Sequence, residues 1–330
     1  MKKILQSLFE YKSLSRQQAY EILLQISNGI YNEHEITAFM TVYLMRSVTI
    51  DELLGFRDAL LELCLPFEVD SSSVIDIVGT GGDGKNTFNV STLACFVVAG
   101  AGKKVVKHGN YGASSVSGAS NVMEQIGYKL KNNTDDLKKE LDKANFCFLH
   151  APMFHPALKT VGPIRRNLGM RTFFNMLGPL VNPARPGVQL IGVYNLEMAR
   201  IYNYILQQST LKYTIVHSLD GYDEISLTND TKVITPFGEQ MLSPMDLGKR
   251  MVSQDDIYGG DTVAEAASIF MKILNGKGTW AQNAVVLANA AMALFTTGDF
   301  TNYEESYQMA VESLESGKAF QTFQKLIALQ

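Results

Sequence analysis

Apolar and polar positions along the first 65 residues follow helical spacing. The apolar residues that recur every three or four positions, and so form one helix face, are Ile36, Phe39, Met40, Tyr43 and Leu44. Three segments open with a capping-box pattern, in which a cap residue precedes Glu or Gln by three positions: Ser15 with Gln18, Asn32 with Glu35, and Thr49 with Glu52. The pattern predicts a small all-α domain over residues 1–65, which we expect to be joined by helices from about 163–183.

The pattern changes after residues 66–73, where proline, acidic residues and serines mark a boundary or hinge. From Val74 onward, short runs rich in β-branched residues alternate with helical segments, which is typical of a mostly parallel sheet flanked by helices. The predicted strands are 74–78, 104–107, 146–149, 189–193 and 213–217, with a further candidate at 232–235. The predicted helices are 92–101, 120–126, 134–144, 198–207, 262–274, 280–295 and 303–315. The sequence therefore predicts an α/β domain over residues 74–330.

Composition limits the classes of protein and the cellular compartments that fit this chain. The chain has 330 residues, 46% of them hydrophobic, and a net charge of −4 without long runs of like charge, which does not favour nucleic-acid binding. Its isolated cysteines, Cys64, Cys95 and Cys147, fit buried thiols better than disulfides or a metal site. The N-terminus is too polar for a signal-peptide core, and the longest apolar stretches fall short of the roughly 20 residues that span a bilayer. We expect a cytoplasmic protein.

A glycine-rich turn, GTGGDG at residues 79–84, follows the first predicted strand and precedes a helix start at Ser91 and Thr92. Glycines allow positive φ and close approach, so backbone N–H groups can converge on an anion, and a helix N-terminus adds partial positive charge. The spacing matches neither the dinucleotide-binding fingerprint nor the P-loop. Taken alone, the turn fits a purely structural role equally well.

A second candidate loop, KHGNYGASSVSG at residues 107–118, follows the next strand. A cation, glycines, an amide and small hydroxyl residues suit a second anion site. Taken singly, Lys107 fits a solvated strand end, His108 a hydrogen-bonded turn, and the serines a helix cap. Because ligands collect at the carboxyl ends of parallel strands, the two loops together favour a site for two phosphate groups.

Two adjacent carboxylates, Asp223 and Glu224, follow the strand predicted at 213–217. In a loop both can turn toward one spot and hold a divalent cation, and Mg²⁺ takes carboxylates together with substrate phosphate oxygens. The alternative is a solvated turn. The position after a strand favours the metal site.

Arginines precede a proline- and glycine-rich run. Arg165 and Arg166 lie in the segment 163–169, before FNMLGPLVNP at residues 174–183. A guanidinium binds a carboxylate through two hydrogen bonds, which suits a flat acidic substrate. The alternative is a solvated helix face, which we prefer for Arg166.

These motifs, together with NVST at 89–92 and DGYDE at 220–224, stand in the order found in the anthranilate phosphoribosyltransferase family, which the chain resembles over essentially its whole length. The resemblance implies the nucleoside phosphorylase-like phosphoribosyltransferase fold, usually a homodimer formed through the helical domains. It implies transfer of phosphoribose from phosphoribosyl pyrophosphate (PRPP) to the amine of anthranilate, with release of pyrophosphate, in tryptophan biosynthesis. It also implies Mg²⁺, about two ions per active site.

The resemblance further implies roles for single residues. Lys107, Asn110 and Arg165 are the implied catalytic residues, and Gly79, Asn110 and Arg165 would orient anthranilate. Ser91 would hold one magnesium ion, Asp223 the second and Glu224 both. The residues implied to contact PRPP are Gly79, Gly82, Asp83, Thr87, Asn89, Val90, Ser91, Thr92, Lys107, His108, Gly109, Asn110, Tyr111, Gly112, Ala113, Ser114, Ser115 and Ala119.

Three residues depart from the family pattern. Tyr111 replaces a usual arginine, Ala119 a serine that touches the phosphoribosyl substrate in many members, and Asn121 a usual aspartate. Ser120 is a candidate to take over part of the missing serine's role. We expect altered affinity and an unchanged reaction.

Two other functions remain open at this point. A pyrimidine nucleoside phosphorylase has a related fold, but such enzymes carry a further C-terminal domain for which this chain leaves no room before Gln330. A nucleic-acid-binding relative should be strongly basic, whereas this chain is acidic and retains Asp223 and Glu224.

Overall fold

The structure is a computed structural model that describes residues 1–112 and 116–330. The α-helices are α1 (Lys2–Phe9), α2 (Arg16–Ser27), α3 (Glu33–Met45), α4 (Ile50–Leu63), α5 (Val90–Gly100), α6 (Ala119–Gln125), α7 (Thr134–Ala144), α8 (Ala151–Phe154), α9 (Leu158–Leu168), α10 (Leu196–Leu206), α11 (Val263–Leu274), α12 (Trp280–Thr296), α13 (Tyr303–Glu315) and α14 (Lys318–Ile327). The strands are β1 (Val74–Gly79), β2 (Lys104–Gly109), β3 (Phe146–His150), β4 (Val188–Gly192), β5 (Lys212–Ser218), β6 (Thr231–Thr235) and β7 (Gly238–Leu242).

The chain divides into two compact units. The first, the helical unit, comprises Met1–Phe67 and Ala151–Pro183. The second, the sheet unit, comprises Glu68–His150 and Ala184–Gln330. The chain thus leaves the helical unit after α4, builds three strands, returns for residues 151–183 and completes the sheet afterwards.

The helical unit follows the predicted capping pattern. Ser15, Asn32 and Thr49 each accept a hydrogen bond from the backbone three residues later, and the Gln or Glu at that position bonds back to the cap, so all three capping boxes are confirmed. An aromatic cluster forms the core, in which Phe56 stacks on Phe173 with ring centroids 4.5 Å apart. The returning segment therefore supplies core side chains to helices that the first 65 residues predict.

A buried acid links three parts of this unit. Glu52 is fully buried and accepts hydrogen bonds from the backbone N–H groups of Leu14 and Thr49, both at 2.9 Å, and from the guanidinium of Arg46. Burial alone raises the pKa of Glu52, but the hydrogen bonds from Arg46, Leu14 and Thr49 outweigh it and hold the pKa below its ordinary value. The ionised carboxylate therefore stabilises the helical unit.

We expect Glu52→Gln to lower the free energy of unfolding by about 3 kcal/mol at pH 7, because it leaves the largely buried guanidinium of Arg46 without its counter-charge. Since the folded pKa of Glu52 is depressed, the wild-type advantage is present above the ordinary Glu pKa of about 4.3 and disappears as pH falls through the folded pKa. Urea denaturation at several pH values measures both effects. The matched control is Glu10→Gln, which removes an exposed partner of Lys12 and should change almost nothing; equal urea midpoints for Glu52→Gln and Glu10→Gln would contradict the role of Glu52.

The sheet unit is built on strands in the order β3-β2-β1-β4-β5-β6-β7. Neighbouring strands from β3 to β5 are parallel, whereas β6 and β7 are antiparallel additions at one edge. Helices pack on the sheet, among them α5, which is buried almost all round because its residues are apolar on every face. The predicted mostly parallel α/β architecture is confirmed.

Two elements of the sheet unit lie outside the predictions. One is the edge strand β7, whose residues Gly238–Leu242 are mostly exposed and lack an apolar alternation. The other is α14, which begins after Gly317 in a left-handed conformation without a capping side chain and buries Phe323 and Leu326. The edge strand lacks the apolar alternation from which the other strands were predicted, whereas α14 has apolar residues at helical spacing, Phe320, Phe323, Leu326 and Ile327, which the predictions overlooked.

Among residues 1–112 and 116–330, no helix combines the length and apolarity that a bilayer crossing requires. None of the three cysteines, all within the described part of the chain, forms a disulfide. Cys95 and Cys147 are buried, while Cys64 is partly exposed, so its predicted burial is only partial.

Candidate active site

The carboxyl ends of the parallel strands lie at one edge of the sheet. Gly79 at the end of β1 pairs with Gly192 at the end of β4, and β2 and β5 run in the same direction on either side. The loops that follow β1, β2 and β5 therefore start from the same edge. These loops carry most of the predicted site residues.

The glycine-rich loop after β1 adopts the conformations that its sequence predicts. Gly81, Gly82 and Gly84 all have positive φ, between 65° and 75°. The backbone N–H of Gly81 donates to Oδ2 of Asp223 at 2.6 Å. A Cβ at Gly79 would lie 2.3 Å from the same oxygen, so the acidic loop requires glycine at this position.

The acidic loop after β5 lies directly over the end of β4. A Cβ at Gly192 would be 1.5 Å from the carbonyl oxygen of Asp223, which shows how closely the two backbones approach. The Ser218 hydroxyl donates to the carbonyl of Glu224 at 2.7 Å, and the Asn289 amide of α12 bonds to both backbone groups of Ile225 at 3.0 and 2.9 Å. Ser218 and Asn289 are absent from the predicted site residues, although an Asn within the apolar run 284–295 was a usable signal.

Three carboxylates converge at this point. Asp83, Asp223 and Glu224 each offer an oxygen, and these oxygens lie within 4.8 Å of one another. All three residues are half-buried, and the buried Oε1 of Glu224 has no donor within hydrogen-bonding geometry among the described residues. The sequence predicts only Asp223 and Glu224 as a pair, and the resemblance assigns Asp83 to PRPP, so the proximity of the third carboxylate is new.

The negative charges of Asp83, Asp223 and Glu224 favour binding of a cation. Burial first, and then the neighbouring charges of Asp223 and Asp83, raise the pKa of Glu224 well above its ordinary value, and burial also raises the pKa of Asp223. A hard divalent ion would offset both causes, since it replaces water and neutralises the repulsion between the carboxylates. The oxygen-only donor set fits Mg²⁺.

Residues 107–109 belong to β2 and not to the loop after it. Lys107, His108 and Gly109 pair with Phe148, Leu149 and His150 of β3, which extends β2 beyond its predicted end. Lys107 and His108 are buried, so the solvated interpretation of Lys107 and the turn interpretation of His108 are wrong. The reason is that both sides of a central parallel strand are covered by protein.

The Lys107 side chain reaches the N-terminus of α5. Its ammonium donates to the carbonyl of Ile77 at 2.8 Å and to the Ser91 hydroxyl at 3.3 Å. A buried cation therefore lies beside the first turn of a helix whose own N-terminus carries partial positive charge. Anions are the ligands that this combination favours.

Helix α5 begins at Val90, two residues before its predicted start, and Ser91 and Thr92 follow in its first turn. Asn89 is the N-cap residue, but its side chain makes no capping hydrogen bond and instead donates to the Ser117 carbonyl at 3.0 Å. The leading N–H groups of α5 are therefore not capped by Asn89. Thr87 stands just before this turn and forms a backbone bridge with Tyr258.

The loop after β2 is described only at its ends. Asn110, Tyr111 and Gly112 follow the strand and are exposed, and Ala119 begins α6. The predicted residues Ala113, Ser114 and Ser115 lie outside the described part of the chain. Gly82 of the first loop is buried, in contrast to Asn110 and its neighbours.

Tyr111 and Ser120 both contact His150. The Tyr111 ring packs edge-on against the His150 ring, with centroids 4.9 Å apart. Ser120 is fully buried and its hydroxyl bonds to Nδ1 of His150 at 2.8 Å. Its partial replacement of the serine missing at Ala119 stays a prediction. Burial lowers the pKa of His150 to about 4, which keeps the ring neutral at pH 7.

The remaining predicted residue, Arg165, lies in α9 of the helical unit. Its guanidinium lies 5.5 Å from the ring centroid of Phe174 and donates to Oδ1 of Asn175 at 3.3 Å. Burial lowers the pKa of Arg165, yet an arginine remains charged at pH 7. Arg166 is exposed, as the preferred interpretation predicted.

Comparisons with known proteins agree across both units. Residues 2–64 match the helical bundle domain of a glycosyl transferase family, and residues 71–320 match the a/b domain of a glycosyl transferase family. Among solved structures, anthranilate phosphoribosyltransferase from Thermus thermophilus is similar with a TM-score of 0.91 and 30% identity, covering 98% of each chain. The Saccharomyces cerevisiae enzyme in complex with PRPP and Mg is similar with a TM-score of 0.90 and 28% identity, covering 98% of this chain and 96% of the yeast chain.

Sequence relatives are more similar still. Anthranilate phosphoribosyltransferase of Flavobacterium psychrophilum is 57% identical over 326 residues, which cover 99% of this chain and 98% of the relative. The enzyme of Bacteroides thetaiotaomicron is 54% identical over 329 residues, covering 100% of this chain and 99% of the relative. The chain belongs to the anthranilate phosphoribosyltransferase family.

Proposed function

We propose that this protein transfers the phosphoribosyl group of PRPP to the amine of anthranilate and releases pyrophosphate, in tryptophan biosynthesis. The observation that carries the proposal is the group of three carboxylates, Asp83, Asp223 and Glu224, at the same sheet edge as a glycine-rich loop. Support comes from yeast relatives in complex with PRPP and Mg and with 4-fluoroanthranilate.

In this proposal the phosphates of PRPP bind to backbone N–H groups and cations. The loop at Gly79, Gly82 and Asp83, the start of α5 at Asn89–Thr92 and the segment from Lys107 to Ser115 supply these groups. The buried ammonium of Lys107, 3.3 Å from the Ser91 hydroxyl, adds a fixed positive charge. Two anionic groups on one ribose match two anion-receptive loops.

The carboxylates would hold magnesium. We propose two ions per site, with Glu224 bound to both, Asp223 to the second and Ser91 to the first, and with Asp83 close enough to contribute. Bound Mg²⁺ neutralises negative charge on the leaving pyrophosphate. The hydrogen bonds that Ser218 and Asn289 make to the acidic loop keep its carboxylates in place.

The reaction requires the protein to position anthranilate and PRPP more than to abstract a proton. The amine nitrogen of anthranilate forms a bond to C1′ while the bond from C1′ to the pyrophosphate oxygen breaks, and the bonding electrons leave with pyrophosphate. The nitrogen, now positively charged, then loses one proton to water or to the released pyrophosphate. The amine's lone pair is free at neutral pH, so we assign no strong general base. Lys107 and Asn110 stabilise and orient the reacting groups, and the rate gain comes from proximity and charge stabilisation.

We propose Gly79, Asn110 and Arg165 as the residues that bind anthranilate, with the Arg165 guanidinium as the partner of its carboxylate. We expect Arg165→Ala to raise KM for anthranilate about tenfold or more, because a bidentate charge-assisted contact is lost, and to change KM for PRPP less. Steady-state kinetics with each substrate varied in turn measures the difference. Arg166→Ala is the matched control and should behave as wild type, since Arg166 is exposed; equal shifts in both KM values for Arg165→Ala would move the acceptor site elsewhere.

Substrate comparison tests the proposed function. Purified protein with PRPP and Mg²⁺ should consume anthranilate, followed by loss of its fluorescence, and should not cleave thymidine in the presence of phosphate. Phosphorolysis of thymidine without anthranilate consumption would instead favour a nucleoside phosphorylase. Salt-dependent DNA binding without pyrophosphate release would favour a nucleic-acid-binding relative.

We also propose a homodimer formed through the helical unit, in the cytoplasm. Exposed apolar side chains of the helical unit, among them Phe9, Tyr11 and Met45, offer apolar surface for a second copy. Light scattering should give about twice the mass of one chain; a monomer at micromolar concentration would contradict the dimer.

A further inference from the structure

Two glycine N–H groups six residues apart donate to one oxygen atom. Gly112 follows β2 and Gly118 precedes α6, and both bond to Oδ1 of Asn121 at 3.0 Å. The two ends of the intervening segment are therefore held side by side. We call Gly112, Gly118 and Asn121 the loop neck.

Close backbone contact accompanies these hydrogen bonds. A Cβ at Gly118 would lie 2.1 Å from the nitrogen of Gly112. Gly118 has φ −83°, which any residue adopts, so the need for glycine there comes from the approach and not from the backbone conformation. A second connection, from the N–H of Ser120 to the carbonyl of Asn110 at 3.1 Å, supports the same closure.

The loop neck is also connected to α5. Asn89, the N-cap residue of α5, donates from its amide to the carbonyl of Ser117 at 3.0 Å, one residue before Gly118. The closed neck thus fixes Ser117 relative to the helix start that carries Ser91. Asn121 itself lies in the first turn of α6 and makes both of its bonds to backbone N–H groups.

We propose that Asn121 is a positioning residue for PRPP binding. It holds Gly112 and Gly118 side by side before the substrate arrives, so that binding costs less ordering entropy at these residues. The inference rests on the proposed function, because it assumes that Asn110, Tyr111 and Gly112 bind PRPP. Asn121 acts through Gly112 and Gly118 and has no contact with the reacting atoms in this scheme.

Kinetics should separate this role from a general structural one. We expect Asn121→Ala to raise KM for PRPP about tenfold, with kcat and KM for anthranilate changed less than about threefold, because two hydrogen bonds are lost from the neck. Asn121→Asp should restore the wild-type KM, since a carboxylate oxygen can accept both N–H groups. Asn133→Ala, which removes a comparable cap bond from α7, is the matched control and should leave both KM values unchanged.

A second variant opens the neck without touching Asn121. Gly118→Ala should reproduce the rise in KM for PRPP, because its Cβ would collide with Gly112. If Asn121→Ala does not fold, the kinetics of Gly118→Ala test the proposal instead. Values of KM for PRPP within about twofold of wild type in the folded variants, or failure of Asn121→Asp to restore an Asn121→Ala defect, would overturn the proposal.

Hydrogen exchange tests the neck independently of activity. In the protein without substrates, the amides of Gly112 and Gly118 should exchange faster in Asn121→Ala than in wild type and at the wild-type rate in Asn121→Asp. Unchanged exchange in Asn121→Ala would overturn the inference even if the enzyme is active. Conversely, absence of PRPP-dependent anthranilate consumption by wild type would refute the proposed function and leave the exchange result standing as a separate fact.

Discussion

Asp223→Asn combined with Glu224→Gln should lower magnesium-dependent turnover about a thousandfold or more while leaving the fold intact. The two substitutions keep the size of both side chains but remove the negative charges, and metal-ion stabilisation of a leaving group amounts to several kcal/mol. Because burial raises the pKa of both carboxyl groups, and the charges of Asp223 and Asp83 raise that of Glu224 further, removing the two charges should not destabilise the protein. The measurement is the initial rate as a function of Mg²⁺ concentration, together with thermal unfolding.

The matched control lies in the same loop. Asp220 is outside the three-carboxylate group and accepts a hydrogen bond from the Thr228 hydroxyl at 2.7 Å, which an asparagine can also accept. Asp220→Asn should therefore retain most of the activity. Wild-type turnover in the double variant would show that Asp223 and Glu224 form only a structural turn.

Lys107→Met should reduce kcat by about 10²- to 10³-fold, which is the loss expected when one fixed group that stabilises developing charge is removed. The side chain is almost fully buried, and its ammonium lies between the Ile77 carbonyl and the Ser91 hydroxyl. Its charge is therefore fixed beside the N-terminus of α5 and needs no reorganisation during the reaction. Single-turnover measurements at saturating PRPP separate this effect on chemistry from weaker binding.

The same strand offers a control for Lys107. Lys104 is partly exposed and pairs with Asp142 at 2.7 Å, so Lys104→Met should leave kcat and both KM values near wild type. Methionine at position 107 fills a similar volume without the charge. If Lys107→Met retains wild-type kcat, the ammonium serves the fold and not the reaction.

Local signals predicted most of the fold. The three capping boxes and the β-branched runs identified the first helices and the parallel strands because each signal lies within a few residues of sequence. Edge strand β7 was not predicted because an exposed edge needs no apolar alternation. Helix α14 was overlooked although Phe320, Phe323 and Leu326 recur at helical spacing, and it begins without a capping side chain. The helical unit includes residues 151–183, a longer segment than the expected 163–183, and contacts such as Phe56 with Phe173 are encoded by no local pattern.

The candidate site was predictable where it consists of contiguous motifs. The sequence predicts that the carboxylates of Asp223 and Glu224 turn toward one point and that glycines of the loop at 79–84 adopt positive φ, and both predictions are confirmed. The convergence of Asp83 on these carboxylates could not be predicted, because it arises only when the loop after β5 closes over the ends of β1 and β4. The interior position of Lys107 likewise depends on pairing of β2 with β3. The roles of these residues in binding and catalysis stay predictions.

Simultaneous measurement of anthranilate loss and pyrophosphate release, with purified protein, PRPP and Mg²⁺, tests most directly whether the protein transfers phosphoribose to anthranilate. We expect equal amounts of anthranilate lost and pyrophosphate released, and we expect both reactions to stop when EDTA removes the metal. Undiminished turnover in EDTA, or pyrophosphate release that does not depend on anthranilate, would contradict this expectation.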